Sequence, residues 1–178
     1  MLRHVALLRG INVGKAKRLA MADLRAVFET LGYTAVRTHL QSGNVVFDAK
    51  KRLDAAAITE LEQTIADTTE VHSRVLVIPA DQFLAMAEAN PFADAEDPSR
   101  MLVSFFDIMP DEALLIRPPD EELAPERVVF GDEAVYQWIP EGILTSRVNF
   151  TKALKPTTLT TSRNLRTVRK IVNLIASP

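Results

Sequence analysis

Apolar residues in the first eighty positions fall into short runs separated by polar turns, and their spacing switches between strand and helix periods. Val5-Ala6-Leu7-Leu8 is a continuous apolar run that predicts a buried strand. Gly10 to Ala20 is a loop with two glycines and three basic residues. Met21, Leu24, Val27, Phe28 and Leu31 recur at helical spacing, and Gly32 follows where a helix ends in a left-handed residue. Val36–Leu40 and Asn44–Phe47 flank Gln41-Ser42-Gly43, the pattern of a hairpin with glycine in its turn. Asp54 can cap a helix carrying Ile58, Leu61 and Ile65 on one face. Arg74–Ile78 is a strand that Pro79 ends. The order is β-α-β-β-α-β, the ferredoxin-like arrangement, with two helices covering one sheet face and the other face needing water or another layer.

The remainder repeats that order less cleanly. Asp81 opens a short helix ending before Asn90-Pro91, because the residue before proline leaves the helical region. Met101–Phe106 is an apolar strand, Pro110–Leu115 a short helix, and Arg117 to Pro125 an acidic, proline-rich connection. Val128–Phe130 and Ala134–Ile139 flank Gly131-Asp132-Glu133, a second hairpin. Thr145–Leu154 is expected to be helical, Thr157–Thr161 extended, and residues 162–175 a final helix. That helix places Leu165, Val168, Ile171, Val172 and Ile175 on one side and Arg163, Arg166, Arg169 and Lys170 on the other. Its apolar side is expected to dock on the second half. The fold class expected is α+β: a ferredoxin-like half over residues 1–80 and a second, related α+β half over 81–178, a pseudo-duplication. One continuous α+β domain is the alternative.

Charge sharpens this division. Residues 1–80 carry a net +3, residues 81–141 a net −12, and residues 142–178 a net +7 with no acid at all. Neutralisation of the acidic middle by the basic end, within the molecule, is the simpler reading; a partner of opposite sign is the other. No cysteine is present among the 178 residues, which removes disulfides, thiol catalysis and cysteine-held metals. Val5–Leu8 is too short for a signal-peptide core, and no apolar run approaches a membrane span. A soluble cytoplasmic protein is expected.

Common catalytic signatures are missing. There is no phosphate loop of the G-x-x-x-x-G-K-[ST] type and no G-x-S-x-G elbow, and Arg9–Gly14 lacks the third glycine of a dinucleotide fingerprint. His4, His39 and His72 are dispersed over three expected strands, so no metal site is expected and no cofactor is indicated. Three polar stretches carry the candidate chemistry. The first is the loop with Arg9, Asn12, Gly14, Lys15, Lys17 and Arg18, whose backbone N–H groups suit an anion. The second is Gln41-Ser42-Gly43-Asn44, which ordinary turn chemistry also explains. The third is Thr160 to Asn164, where Thr161 or Ser162 is expected to cap the last helix. Arg163 in the first helical turn would oppose the helix dipole, which favours a nearby anion.

Ala6 to Gly14, Met21-Ala22-Asp23-Leu24-Arg25 and Gln41 to Phe47 resemble a bacterial family called domain of unknown function 1697. Tyr136 to Gly142 and Arg163-Asn164-Leu165-Arg166-Thr167-Val168 continue the likeness. The resemblance implies an α+β fold of ferredoxin-like character and no established activity. Its polar signature maps onto Arg9, Asn12, Gln41, Ser42, Asn44, Arg163, Asn164 and Thr167. Lys15 stands where the family usually has a second glycine, and Leu165 where it often has tryptophan.

Together these residues suggest a binding module for a phosphate-bearing ligand, a nucleotide or a nucleic-acid backbone. Arginine would supply a bidentate fork and Gln41, Ser42 and Asn44 would orient the ligand. The ligand-binding set is Arg9, Asn12, Lys15, Gln41, Ser42, Asn44, Arg163, Asn164 and Thr167. With the first and third strands antiparallel, the loop leaving one and the turn entering the other are expected at opposite ends, against a shared site. Recognition of RNA by stacking is disfavoured, because the central strands offer one aromatic, Phe47. The alternatives are an enzyme acting on a phosphorylated substrate, with His39 and Asp48 as acid/base candidates, and a homodimer formed through the open sheet face.

Overall fold

The computed structural model describes residues 1–12, 18–39 and 41–177. Among them the chain forms a mixed α+β structure with two four-stranded antiparallel sheets and five helices. It divides into two compact units, Met1–Leu84 with Lys170–Pro178, and Ala85–Arg169. The first unit thus takes in residues 81–84 and 170–178 in addition to the expected 1–80.

In the first unit the elements are β1 (Leu2–Leu8), α1 (Met21–Thr30), β2 (Thr34–His39), β3 (Asn44–Ala49), α2 (Ala55–Thr69) and β4 (Val75–Pro79), with α3 (Ala80–Glu88) following. The sheet order is β2-β3-β1-β4, antiparallel throughout, with Val5 opposite both Val46 and Ile78. Ala6, Leu8, Val45, Phe47 and Val75 pack with Leu24, Val27 and Phe28 of α1 and Leu61 and Ile65 of α2. Each valine, leucine, isoleucine or phenylalanine of this set removed from water contributes about 1.5–3 kcal/mol. Val5, Leu7 and Val46, which alternate with this set, are also buried. Burial on both faces is the reason the central strands read as unbroken apolar runs.

The local signals act as their chemistry requires. Asp54 Oδ1 accepts from the Ala57 N–H at 2.9 Å and caps α2. Gly32 adopts φ 82° after α1, and the Tyr33 N–H reaches back to the Phe28 carbonyl at 3.1 Å. The C-terminal residues of this unit are fastened by arginines: Arg3 donates to the carbonyls of Ile175 and Ser177, and Arg37 to those of Leu174 and Ser177.

The second unit contains β5 (Met101–Phe106), α4 (Asp120–Leu123), β6 (Arg127–Phe130), β7 (Ala134–Trp138) and β8 (Thr160–Asn164). Its sheet order is β6-β7-β5-β8. Both sheets therefore place their first and third strands, in chain order, at the centre. Tyr136 reaches the Met86 carbonyl at 2.7 Å, and Glu126 is buried, accepting from the Ser146 hydroxyl and the Arg147 N–H.

Five local expectations are corrected. Residues 110–115 form only a single 3₁₀ turn, Glu112–Leu114. Thr145–Leu154 is not helical: a 3₁₀ turn spans Ile143–Thr145, and Asn149 exchanges backbone hydrogen bonds with Ile116 at 2.8 and 3.1 Å. That tertiary pairing outweighs the helical spacing of a segment rich in β-branched residues. The last helix, α5, spans Leu165–Ala176 and starts three residues later than expected, because residues 160–164 pair with β5. Its buried face is formed by Leu165, Val168, Ile171 and Ile175, as the spacing predicts. The unit boundary falls within it, so its apolar side does not belong to the second unit alone. His72 lies in the connection before β4 and not on a strand.

Candidate functional site

The first two polar stretches meet at one end of the first sheet. The Asn12 amide donates to the Gln41 carbonyl at 2.6 Å and the Leu19 carbonyl at 3.1 Å, and its oxygen accepts from the Leu19 N–H at 2.7 Å. Asn12 itself has φ 56°, a left-handed conformation that asparagine tolerates better than most residues. The Leu8 N–H donates to the Gly43 carbonyl at 2.9 Å. The expectation that this loop and this turn lie at opposite ends is therefore corrected. Antiparallel pairing sets the end of one strand beside the start of its neighbour, and Leu7 faces Asn44.

Around this junction some polar groups serve the fold and others face water. Asn44 is buried, and its amide donates to the His39 carbonyl and the Ser42 hydroxyl, both at 2.9 Å. Asn12 and Asn44 are thus frame residues holding loop to turn. Arg9, Gln41 and Ser42 are exposed. The Arg9 backbone is fixed by Arg74 and Ser73, which immediately precede β4, at 3.0 and 2.9 Å. Its guanidinium has no ion pair among the described residues, whereas Arg74 beside it pairs with Glu62 at 3.0 Å. Lys15 lies outside the described residues.

Arg163, Asn164 and Thr167 belong to the second unit. Arg163 lies in β8 opposite Val103, not in a helical turn, so the helix-dipole argument for a nearby anion does not apply to it. Its guanidinium donates to the Thr161 hydroxyl at 2.6 Å and the Ser162 carbonyl at 2.9 Å, and burial lowers its pKa to about 10. Asn164, and not Thr161 or Ser162, caps α5: its Oδ1 accepts from the Thr167 N–H at 2.9 Å. Thr161 and Ser162 are strand residues, and the Ser162 hydroxyl meets that of Ser104 at 2.7 Å.

The acid/base pair considered from sequence does not form. His39 faces Asn44 and Asp48 faces Thr34, four residues apart along β3, roughly 14 Å. Asp48 is engaged by Arg3 at 2.8 Å. Phe47 is wholly buried, stacked on His4 and edge-on to Phe28, so β1 and β3 present no aromatic to a nucleic-acid base. Among the described residues no group of three His, Asp or Glu side chains is placed to hold a metal, and no helix is long and apolar enough to cross a membrane.

Two cavities escaped the sequence reading. One of about 250 Å³ lies at the other end of the first sheet, where Gly32, Tyr33 and Leu53 meet the run Lys50-Lys51-Arg52. Lys51 and Arg52 form exposed ion pairs with Asp54 and Asp81, and Lys50 has none among the described residues. Three adjacent basic residues are the signal in the sequence that marks this cavity. The other cavity, of about 460 Å³ in the second unit, is walled by Phe92 and Trp138. Its residues are separated in the chain and gave no sequence signal.

The profile of the family described as Protein of unknown function (DUF1697) matches residues 1–136, and the chain belongs to that family. A conserved bacterial protein from Streptococcus pneumoniae is similar in structure, with a TM-score of 0.66, 23% identity and 98% of each chain covered. No curated protein matches.

Proposed function

We propose that the chain is a binding module for a phosphate-bearing ligand, held in the first unit at the end of the sheet where β1 leaves and β3 enters. The observation carrying this reading is the exposed guanidinium of Arg9, without an ion pair among the described residues, on a backbone pinned to Ser73 and Arg74 beside the exposed Gln41–Ser42 turn. The held backbone sets where the side chain starts, and arginine's planar fork matches two phosphate oxygens. Asn12 supports the site by position, tying loop to turn. Arg163, Asn164 and Thr167 remain part of the proposed ligand set as a second cluster in the other unit, with Arg163 half-buried. The repeated strand order, antiparallel in both sheets, supports a ferredoxin-like first half and a pseudo-duplication.

A second reading rests on the cavity beside Lys50, Lys51 and Arg52, where Tyr33 would offer a ring and the cations a phosphate contact. One experiment separates the two. ATP and pyrophosphate are titrated calorimetrically at low and at physiological salt into the wild type, Arg9→Ala, and the double variant Lys50→Ala/Arg52→Ala. Loss of about tenfold in affinity in Arg9→Ala alone supports the β1 site, since a charged hydrogen bond contributes about 1.5–3 kcal/mol. Loss in the double variant alone supports the cavity. Binding that is absent, or unchanged in all three proteins, overturns the phosphate reading.

A further inference from the structure

The acidic middle of the chain has a structural counterpart that the phosphate reading does not use. The cavity of about 460 Å³ in the second unit is lined by Phe92, Asp94, Glu96, Arg127 and Trp138. Its aromatic wall comes from a turn and a strand end. Phe92 is buried, and its N–H donates to the Asn90 side chain at 2.9 Å; Asn90 is itself buried against Met101. Trp138 ends β7, and Arg127 stands directly across from it on β6. Asp94 and Glu96 are exposed and have no ion pair among the described residues.

One cation already shows what this wall attracts. The Arg127 guanidinium lies over the Phe92 ring, 4.9 Å from its centroid. It has no carboxylate partner among the described residues, although Asp94 and Glu96 line the same cavity. The ring face, with its negative quadrupole, is therefore its principal partner. Two aromatic walls, two uncommitted carboxylates and a surrounding segment of net −12 favour positive charge and focus it toward the cleft. Arg169, another cation of this unit, donates to the Ala93 carbonyl at 2.6 Å.

We infer that this cavity binds an organic cation, a guanidinium or alkylammonium group, whose place over Phe92 is held by Arg127 when no ligand is bound. A free small molecule and an arginine side chain of a peptide present the same group. The proposal is independent of the phosphate site, which lies in the other unit.

Trp138 is the chain's one tryptophan, so its emission reports directly on the cavity. The wild type is titrated with argininamide, with its neutral isostere citrullinamide, and with a tripeptide, end-blocked at both termini, that carries one arginine, all at constant ionic strength. A saturable change with argininamide or the tripeptide, and none with citrullinamide, is expected; the tighter of the two identifies the source. Asp94→Asn/Glu96→Gln, which alters only exposed side chains, should weaken binding about fivefold. Arg127→Ala removes the internal occupant and should tighten binding about two- to fivefold. An equal response to citrullinamide overturns the proposal, as does an Arg127→Ala variant that binds no more tightly than the wild type.

Discussion

Arg3 grips Asp48 through two nitrogens, at 2.8 and 3.2 Å, and with a third contact set holds the carbonyls of Ile175 and Ser177 at 2.6 and 2.8 Å. One guanidinium thereby joins the first strand, the third strand and the last residues of the chain. The two side chains are 26% and 17% exposed, so water screens the pair only in part. The chain's final carbonyls, which no helical turn can satisfy, are matched by positive charge.

This pair predicts an acid-sensitive contribution to stability. The hydrogen bond from Arg3 holds the Asp48 carboxyl below its ordinary range, and burial opposes it less strongly. A carboxylate depressed in the folded state contributes above its unfolded pKa of about 3.9 and loses that contribution as pH falls through the folded value. Asp48→Asn should lower stability at pH 7 by about 1–3 kcal/mol. In urea denaturation the gap between variant and wild type should close below about pH 4. A gap unchanged at pH 3 would show that the charge is immaterial.

His4 predicts a slope in a different window. Its Nδ1 lies 3.0 Å from the Leu2 carbonyl, which can only accept, so Nδ1 carries the proton. Nε2 is buried without a partner among the described residues while the ring stacks on Phe47. Burial lowers the His4 pKa, so the unfolded chain takes up a proton first and stability falls as pH drops below about 6.5. His4→Phe keeps the stacking and removes the titration. Its urea midpoint should change less between pH 7 and pH 5 than that of the wild type; the remaining slope includes His39, which burial also lowers. Identical slopes in the two proteins would exclude His4.

Two glycines should respond unequally to alanine. Gly43 has φ 71°, and a Cβ there would lie 2.6 Å from the Leu8 Cβ and 2.8 Å from the Ile11 Cδ1. Gly32 has φ 82° and open space around it. Gly32→Ala should cost about 1–2 kcal/mol, the left-handed penalty alone. Gly43→Ala should cost more, because the clash adds to the same penalty, and it should loosen the Gln41–Ser42 turn. Equal thermal shifts would show that the turn gives way without strain.

Asn164 predicts a capping effect separable from ligand binding. Asn164→Ala removes the acceptor for the Thr167 N–H and should cost about 1 kcal/mol, whereas Asn164→Asp should retain most of that. Thermal melts of both variants check this. A destabilisation by Asp as large as by Ala would mean that the cap is not the reason for an asparagine there.

Much of the fold was legible because short-range physics decides it. The Val5–Leu8 run, the 3.6-residue spacing of Leu24, Val27 and Phe28, the Asp54 cap and the Gly43 turn each depend on neighbours within a few positions. The chemistry of the candidate site was only half legible. Asparagine at 12 and 44 could serve a ligand or the backbone equally well; only the carbonyls of Gln41 and His39, brought near by sheet pairing, made them frame residues. Arg163 was misplaced in a helix because residues 160–164 have no strong pattern of their own, and the edge of β5 claimed them.

The sequence by itself determined the element order of the first unit, its buried faces and the charge blocks along the chain, since periodicity and composition are local properties. Tertiary structure alone decided which polar groups remain available. Arg3 and Asp48 are spent on the C-terminal carbonyls and on each other, Arg9 faces water, and Phe92, Arg127 and Trp138 converge from distant positions. The physical reason is that a side chain's function depends on which partner reaches it first, and those partners arrive through long-range strand pairing that no local pattern encodes.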